Sequence, residues 1–535
     1  FSKKRMTVPA IGIDLGTTFS AVSYVNDDGR VVTIQNNAGN EITPSVVHFD
    51  DNIVLVGEEA VKKRRNGSKK TIFNIKRIMG RKHDDVVIRQ REWQFEILRG
   101  CNDRANVRVD AEIYTPEEIS GFILRYLKGI AKKVLLEEPV DAVITVPANF
   151  TNAQREATRD AGKLAGLNVL QIVNEPTAAA LAFCQQMERD DIMRVLVYDL
   201  GGGTFDVSIV EIEGKNTKVL AIDGLTTLGG TDIDDRIYKE ALQRFQDMGF
   251  KITDFDWTLM EACETAKKAL SRINYARISH VRYGGAGFDL TYDTFMVLCE
   301  DLLEQTLALT DKVMCDAAID EDSIDEIMLV GGSTRIRKVR EILSERFPNT
   351  KIRDDIEPEL AVAKGAALLA DSLSKKPVSK SKKSAFVPKR TAVEELDSAV
   401  SLVDVTPLPL GLRVGENKCK VLVKKNTQCP FSNYDHFTNF YDNQEILTIE
   451  ILEGDCAQAS DNYTLTTVDI NISPMPKGKN FIKVVLAVDV NGIISVSATD
   501  VHTNKEVSVT IRSDKLDDED IVKMTEDLSK IEQGG

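Results

Sequence analysis

The chain has 535 residues, 42% of them apolar, and a net charge of -15, so it exceeds the size at which one hydrophobic core keeps growing and divides into at least two domains. The acidic balance disfavours nucleic acid as the main partner, because a phosphate backbone asks for clustered Lys and Arg. The eight cysteines form no Cys-x-x-Cys pair and have no histidines at zinc spacing, which reads as reduced, structural thiols, and no apolar run reaches the roughly 20 residues that span a bilayer.

In chain order, the start at Phe1 rather than at Met leaves an upstream targeting segment open. An apolar, β-branched strand then leads into the hairpin GIDLGTT at 12–18, and a second such strand leads into DLGGGTFD at 199–206. A glycine at the tip of such a turn lets the backbone approach a polyphosphate, and the neighbouring N–H groups make an anion-binding concavity. Thr17, Thr18 and Thr204 add hydroxyl donors. Asp14 and Asp199, at their strand ends, suit waters around Mg²⁺ better than bare phosphate. One strand followed by glycines is most often a plain turn. A third unit, IMLVGGSTR at 327–335, repeats the logic with a helix N-terminus that favours phosphate. Neither a Walker A pattern nor a Rossmann fingerprint carries the phosphate chemistry, which disfavours a P-loop or nicotinamide enzyme. The arrangement is similar to the actin-like ATPase superfamily, in which two lobes grip one nucleotide.

Strands and helices alternate from about Ala10 to Leu373 and restart at Val195, as in an internal duplication with helices over mixed sheets. The basic runs at 62–70 and 375–383 read as solvated faces or tails, and Cys263 and Cys299 as small buried hydrophobes. From Ser374 to Pro388 the composition turns to Lys, Ser and Pro, a linker or inserted loop. From Leu408 to Arg512 short alternating strands with turns at Asp442-Asn443, Pro476-Lys477-Gly478 and Asn491-Gly492 predict a β-sandwich. Residues 517–533 predict one amphipathic helix.

IDLGTTFS at 13–20, NEPTAAA at 174–180, residues 199–208, residues 331–336 and DVTPL at 404–408 together resemble the seventy-kilodalton heat-shock chaperone family over nearly the whole chain. The resemblance implies an α/β actin-like two-lobed ATPase domain at 1–373, an insertion at 374–398 and a linker at 399–405. A β-sandwich substrate-binding domain at 406–512 and the start of a helical lid at 513–535 follow. It implies an ATP-dependent chaperone that binds extended apolar segments of unfolded clients, with ATP or ADP, Mg²⁺ and K⁺ as cofactors. A J-domain co-chaperone, a nucleotide-exchange factor and a cytoplasmic location are the expected company.

By position, Asp14, Gly16, Thr17 and Thr18 match the first phosphate loop, and Gly201, Gly202, Gly203 and Thr204 the second. Lys76 matches the lysine that orients the γ-phosphate and the attacking water, while Glu175, Asp199 and Asp206 match the carboxylates around the metals and that water. The metal set is Asp14, Asp199 and Asp206. Glu264, Lys267 and Ser271 share one helix face and match residues that hold adenosine, with Gly331, Gly332, Ser333 and Arg335 covering the base. No tuned histidine or strong nucleophile is present, so catalysis rests on positioning water and stabilising charge.

Pro147 and Arg155 match positions that relay nucleotide state, although Asn149 replaces the usual tyrosine and Ser401 makes the linker more polar. Leu410, Leu412, Phe437, Phe440, Leu447, Ile449 and Ile482 fall where the family lines its peptide groove, and each reads nearly as well as sandwich core apart from the arch position Phe440. Leu447 stands where valine is usual, and Gly415 with Phe440 inverts the arch sizes. Those departures keep a second reading open, a fixed subunit or adaptor of a larger assembly. A small-molecule kinase of the same superfamily is a third, against which the sandwich argues.

Overall fold

The computed structural model describes residues 8–50, 53–64, 69–89, 93–185, 191–214, 216–252, 255–353, 357–375, 401–489, 492–510 and 518–534. The opening Phe1 to Arg5, Arg65, Asn491, Val400 and nearly all of the 374–398 stretch lie outside them.

Two sheets of matching topology organise the first 375 residues. In the first, the order is Asn168–Asn174, Asp141–Val146, Ile11–Asp14, Phe19–Val25, Val31–Thr33. In the second it is Lys351–Arg353, Glu326–Val330, Met193–Leu200, Phe205–Glu213, Asn216–Leu225. Each central strand runs parallel to one neighbour and antiparallel to the other, so the two halves repeat one connection pattern. The central strands are near-continuous apolar runs because helices cover both faces, and Ile11, Ile13, Val195 and Val197 are fully buried.

Helices Glu175–Cys184 and Ala361–Ser374 cross between the two sheets. Small residues permit that approach: a Cβ on Gly365 would stand 1.6 Å from the Ala178 carbonyl oxygen, and one on Gly12 would stand 2.0 Å from Ala367 N. One core cluster, including Val143, Ala178, Val195 and Ala366, therefore belongs to both halves. Hairpins 12–18 and 199–206 consequently face each other.

Beyond the undescribed stretch, Ser401–Val403 adds a parallel strand to the edge Asn216–Leu225. Leu402 packs against the shared core, which gives this short apolar segment a reason to be extended. Two four-stranded sheets follow: Lys418–Val423, Leu410–Val414, Ile446–Glu453, Tyr463–Asn471 in one, and Phe431–Phe437, Ile482–Val488, Ile494–Asp500, Lys505–Thr510 in the other. Their inward residues alternate with period two, as in Ile482, Val484, Leu486 and Val488. Gly478 and Gly492 sit in turns at φ 75, where glycine carries no steric penalty.

The tail differs from a single helix over 517–533. The helix covers Asp518–Lys530, and Glu532–Gly534 then lies parallel to the edge strand Ile53–Val56. Arg125 explains the break: its guanidinium donates to the carbonyls of Leu528 and, at 2.8 Å, Ile531, taking up groups the last helical turn leaves free. Ile521 and Leu528 are buried in the core of the first half. Among the described residues, no helix is long and apolar enough to cross a membrane.

Candidate functional site

A cleft of about 1450 Å³ opens between the two halves. Asp14, Gly16, Thr17 and Thr18 line one wall, Gly201, Gly202 and Thr204 the other, and Gly331, Gly332, Ser333 and Arg335 the far end. Gly203 and Asp206 are not among the lining residues. The glycines are required by contact: a Cβ on Gly202 would stand 2.1 Å from Thr18 Oγ1, and one on Gly203 2.5 Å from Thr17 Cγ2. The two hairpins thus meet tip to tip. Gly331 sits at φ 80, and a Cβ there would stand 2.4 Å from the Leu200 carbonyl oxygen, so the third unit closes on the second strand in the same way.

At the floor, Lys76 Nζ donates to Glu175 Oε1, and both residues are buried. Asp14 accepts from Thr145 Oγ1 at 3.3 Å, and Asp206 Oδ1 from Ala148 N at 2.8 Å. Burial, and next the Glu175 charge, pushes Asp14 up to about 7. The same two causes, in that order, raise Asp199 and Asp206 well above the usual carboxylate range. One ammonium among four carboxylates leaves the cluster short of positive charge. Asp206 Oδ2 is buried without a hydrogen-bond partner, an acceptor suited to a hydrated cation. Among the described residues, no three His, Cys, Asp or Glu side chains stand close enough to hold an ion jointly. The unpartnered Asp206 Oδ2 and the surplus of carboxylate over ammonium make this a place where a hydrated cation would be accommodated.

The helix Trp257–Leu270 presents Glu264 and Lys267 to the cleft, with Ser271 at its end. Asp256 caps it, accepting from Thr258 N at 2.9 Å, and the buried His280 holds Asp256 through Nε2 at 2.9 Å. Lys267 Nζ donates to Asp234 at 2.7 Å and to the Gly230 carbonyl at 2.9 Å, bracing this helix against the preceding one, Gly230–Asp247. Glu264 pairs with Lys268 at 2.7 Å, and Arg335 forks onto Glu359 at 2.6 and 2.7 Å. Ser333 Oγ donates to the Gly201 carbonyl at 2.9 Å, tying the third unit to the second hairpin. Lys268, which also lines the cleft, and Arg77 were not legible in the motifs; Arg77 donates to the Gly203 carbonyl at 3.1 Å.

Pro147 and Arg155 lie behind the carboxylates. Pro147 precedes Ala148, the donor to Asp206. Arg155 donates to the Ala148 carbonyl at 2.9 Å and to the Phe150 carbonyl at 3.1 Å. Across the boundary with the sandwich, Glu453 accepts from Asn152 N at 3.0 Å, and Asp404 accepts from Asn174 Nδ2 at 3.0 Å. Asn149 spans the halves, donating to Asp223 Oδ1 at 2.8 Å, and Asp223 also pairs with Lys425 of the sandwich.

The expected groove residues separate. Leu410, Leu412, Leu447, Ile449 and Ile482 are buried in the sandwich core, where they join the two sheets instead of lining an open slot. Alternation fixes which residues share a face and says nothing of whether that face is covered. Phe437 is half-buried beneath Lys420, whose Nζ stands 5.4 Å from the ring centroid, and Phe440 is 45% exposed.

Comparison with known proteins accords with this geometry. The family described as Hsp70 protein matches residues 10–534. A heat shock 70 kDa protein of Neurospora crassa is 38% identical over 540 residues, covering 98% of this chain and 81% of its own. One from Emericella nidulans is 38% identical over 537 residues with the same coverage. The heat shock cognate 70 kDa protein 3 of Dictyostelium discoideum is 37% identical over 544 residues, covering 98% of this chain and 84% of its own.

Proposed function

The chain belongs to the Hsp70 family, and from that premise we propose how its residues divide the work. It is an ATP-dependent molecular chaperone that binds extended apolar segments of client proteins, and it is an ATPase. It carries an ATPase domain followed by a β-sandwich substrate-binding domain. We assign the two repeated sheets of 1–373 to the lobes, 399–405 to the linker, 406–512 to the peptide-binding sandwich and 513–535 to the beginning of a lid.

The observation that carries the site assignment is the meeting of hairpins 12–18 and 199–206 above the Lys76–Glu175 pair. In this reading, backbone N–H groups at 16–18 and 201–203 hold the β- and γ-phosphates, and the Thr204 hydroxyl donates to the γ-phosphate. Lys76 and Glu175 orient the attacking water, and the developing charge is met by donors already in place. Mg²⁺ and K⁺, held by Asp14, Asp199 and Asp206 through water, would supply the positive charge the cluster lacks. Glu264, Lys267 and Ser271 hold adenosine, with Gly331 to Arg335 over the base. Arg155 and Pro147 carry nucleotide state to the linker. The client contacts the rim around Phe437 and Phe440, and reaches Leu447 and Ile449 when the sandwich opens. A J-domain co-chaperone and a nucleotide-exchange factor are the proposed partners, with the cytoplasm as the site of action.

Single-turnover ATP hydrolysis with Mg²⁺ and K⁺, with and without an extended apolar peptide, tests this. Thr204→Val lowers the rate itself, and Phe440→Asp removes only the response to peptide. Hydrolysis unaffected by Thr204→Val overturns the site assignment.

A further inference from the structure

Glu453 and Tyr463 are paired across the antiparallel strands Ile446–Glu453 and Tyr463–Asn471, and both reach toward the ATPase domain. Glu453 docks on the start of helix Asn152–Leu164. Tyr463, 51% exposed, donates from its hydroxyl to Asp85 Oδ2 at 3.3 Å.

Asp85 begins a chain of contacts that ends in the nucleotide site. Its Oδ1 accepts from Val87 N at 2.9 Å, fixing the short helix Val86–Arg89, and its Oδ2 accepts from Arg81 at 2.8 Å. Arg81 Nε donates to the Arg77 carbonyl at 3.0 Å, and its other arm reaches Thr226 Oγ1 in the second half at 3.0 Å. Arg77, the residue after Lys76, donates to the Gly203 carbonyl at 3.1 Å and to Thr231 Oγ1 at 3.0 Å, and forks onto Asp232. Asp232 in turn accepts from Gly229 N at 2.9 Å. A Cβ on Gly229 would stand 2.5 Å from Gly203 N, so this helix start is pressed directly on the second phosphate hairpin.

The side chains of Arg77 and Arg81 are 3% and 8% exposed. Buried guanidinium groups tolerate loss of a partner poorly, so a shift of Asp85 is passed on rather than absorbed. Lys76 and Glu175 are thus approached from two sides. Glu453 leads through the Asn152 and Arg155 region to Asn174 and Glu175, whereas Tyr463 leads through Asp85, Arg81 and Arg77 to Lys76 and Gly203.

We propose that Tyr463 is a positioning residue: sandwich docking acts through the Asp85–Arg81–Arg77 chain to set the second phosphate hairpin and Lys76, as a lever separate from the Arg155 route. The proposal rests on the reading of the chain as a nucleotide-coupled two-domain chaperone.

The test uses the full chain at saturating ATP, comparing parent, Tyr463→Phe, Arg81→Lys and the double variant by hydrogen exchange, with single-turnover hydrolysis in parallel. Tyr463→Phe keeps the ring and deletes one donor at the surface, so the fold is retained. The expected result is faster exchange in 75–89 by about threefold, little change in 152–164, and a double variant no worse than Arg81→Lys. Unchanged exchange at 75–89, equal change in both segments, or multiplying effects of the two substitutions would overturn the lever. Failure of the chaperone reading shows differently, as a parent chain that does not hydrolyse ATP, and the exchange comparison needs no turnover.

Discussion

Arg155 donates to Asn174 Oδ1 at 2.5 Å, one residue before Glu175. The same amide gives its Nδ2 to Asp404, in the segment we assign to the linker. One side chain therefore joins the segment that carries Glu175 to the segment that leaves the ATPase domain.

Asn174→Ala deletes two hydrogen bonds to charged groups, each worth about 1.5–3 kcal/mol. Peptide stimulation of hydrolysis in single turnover is expected to fall at least about tenfold, with a smaller change in basal rate. Equal loss of both rates would show that Asn174 serves only the active site.

Burial pushes Glu453 up to about 7 in the docked arrangement, whereas a released glutamate titrates at about 4.3. Its folded value is raised, so its contribution to docking is fully present below the released value and is lost as pH rises through about 7. Burial raises Asp404 as well, in the same direction. Limited proteolysis of the linker is therefore expected to accelerate between pH 6 and pH 8, roughly the interval around that value. Glu453→Gln should flatten the dependence, and a parent chain with no pH dependence would refute the linkage.

Gly202→Ala places a methyl on Thr18 Oγ1, so the two hairpins cannot meet. ATP affinity by calorimetry should drop by about tenfold or more, the consequence of some 1–3 kcal/mol of local strain. Gly29→Ala is the control: that residue has positive φ, with nothing within 4 Å of the added carbon. It should leave ATP affinity unchanged and cost only stability.

Arg125→Ala frees the carbonyls of Leu528 and Ile531. Loss of those bonds, about 1–3 kcal/mol, should loosen Asp518–Lys530 and the strand Glu532–Gly534 together. Hydrogen exchange across 518–534 should then rise while the sandwich strands keep their protection. Retained protection at 532–534 would mean the strand pairing stands without the arginine.

The phosphate hairpins were legible in the sequence because backbone contact admits only glycine, and glycine leaves a visible mark at Gly202, Gly203 and Gly331. Helical spacing likewise placed Glu264, Lys267 and Ser271 on one face. It could not say that Asp234 takes the Lys267 amine, because the partner lies 33 residues away on another helix. Arg77 escaped for the same reason: its partners at Gly203 and Asp232 are brought near only by closure of the cleft. In the sandwich, Leu447 and Ile449 were singled out by their resemblance to groove positions, with core the nearly equal reading, and the sheet that covers them places them in the core. The tail helix ended early because a distant arginine collects its carbonyls, a contact no local signal carries.

The crossing of Gly365 on Ala178 has a mechanical consequence. A joint made of main chain and methyl groups has no side-chain rotamers to change, so a rotation there would need no long side chain to repack. The halves also meet at the cleft, where Thr18 stands against Gly202 and Arg77 bonds Asp232. The strand Ser401–Val403 sits on the edge of the second sheet, and its Leu402 packs against the same core as Ala178. A change of angle at the cleft would therefore be felt by the strand to which the sandwich is joined through that one packed core.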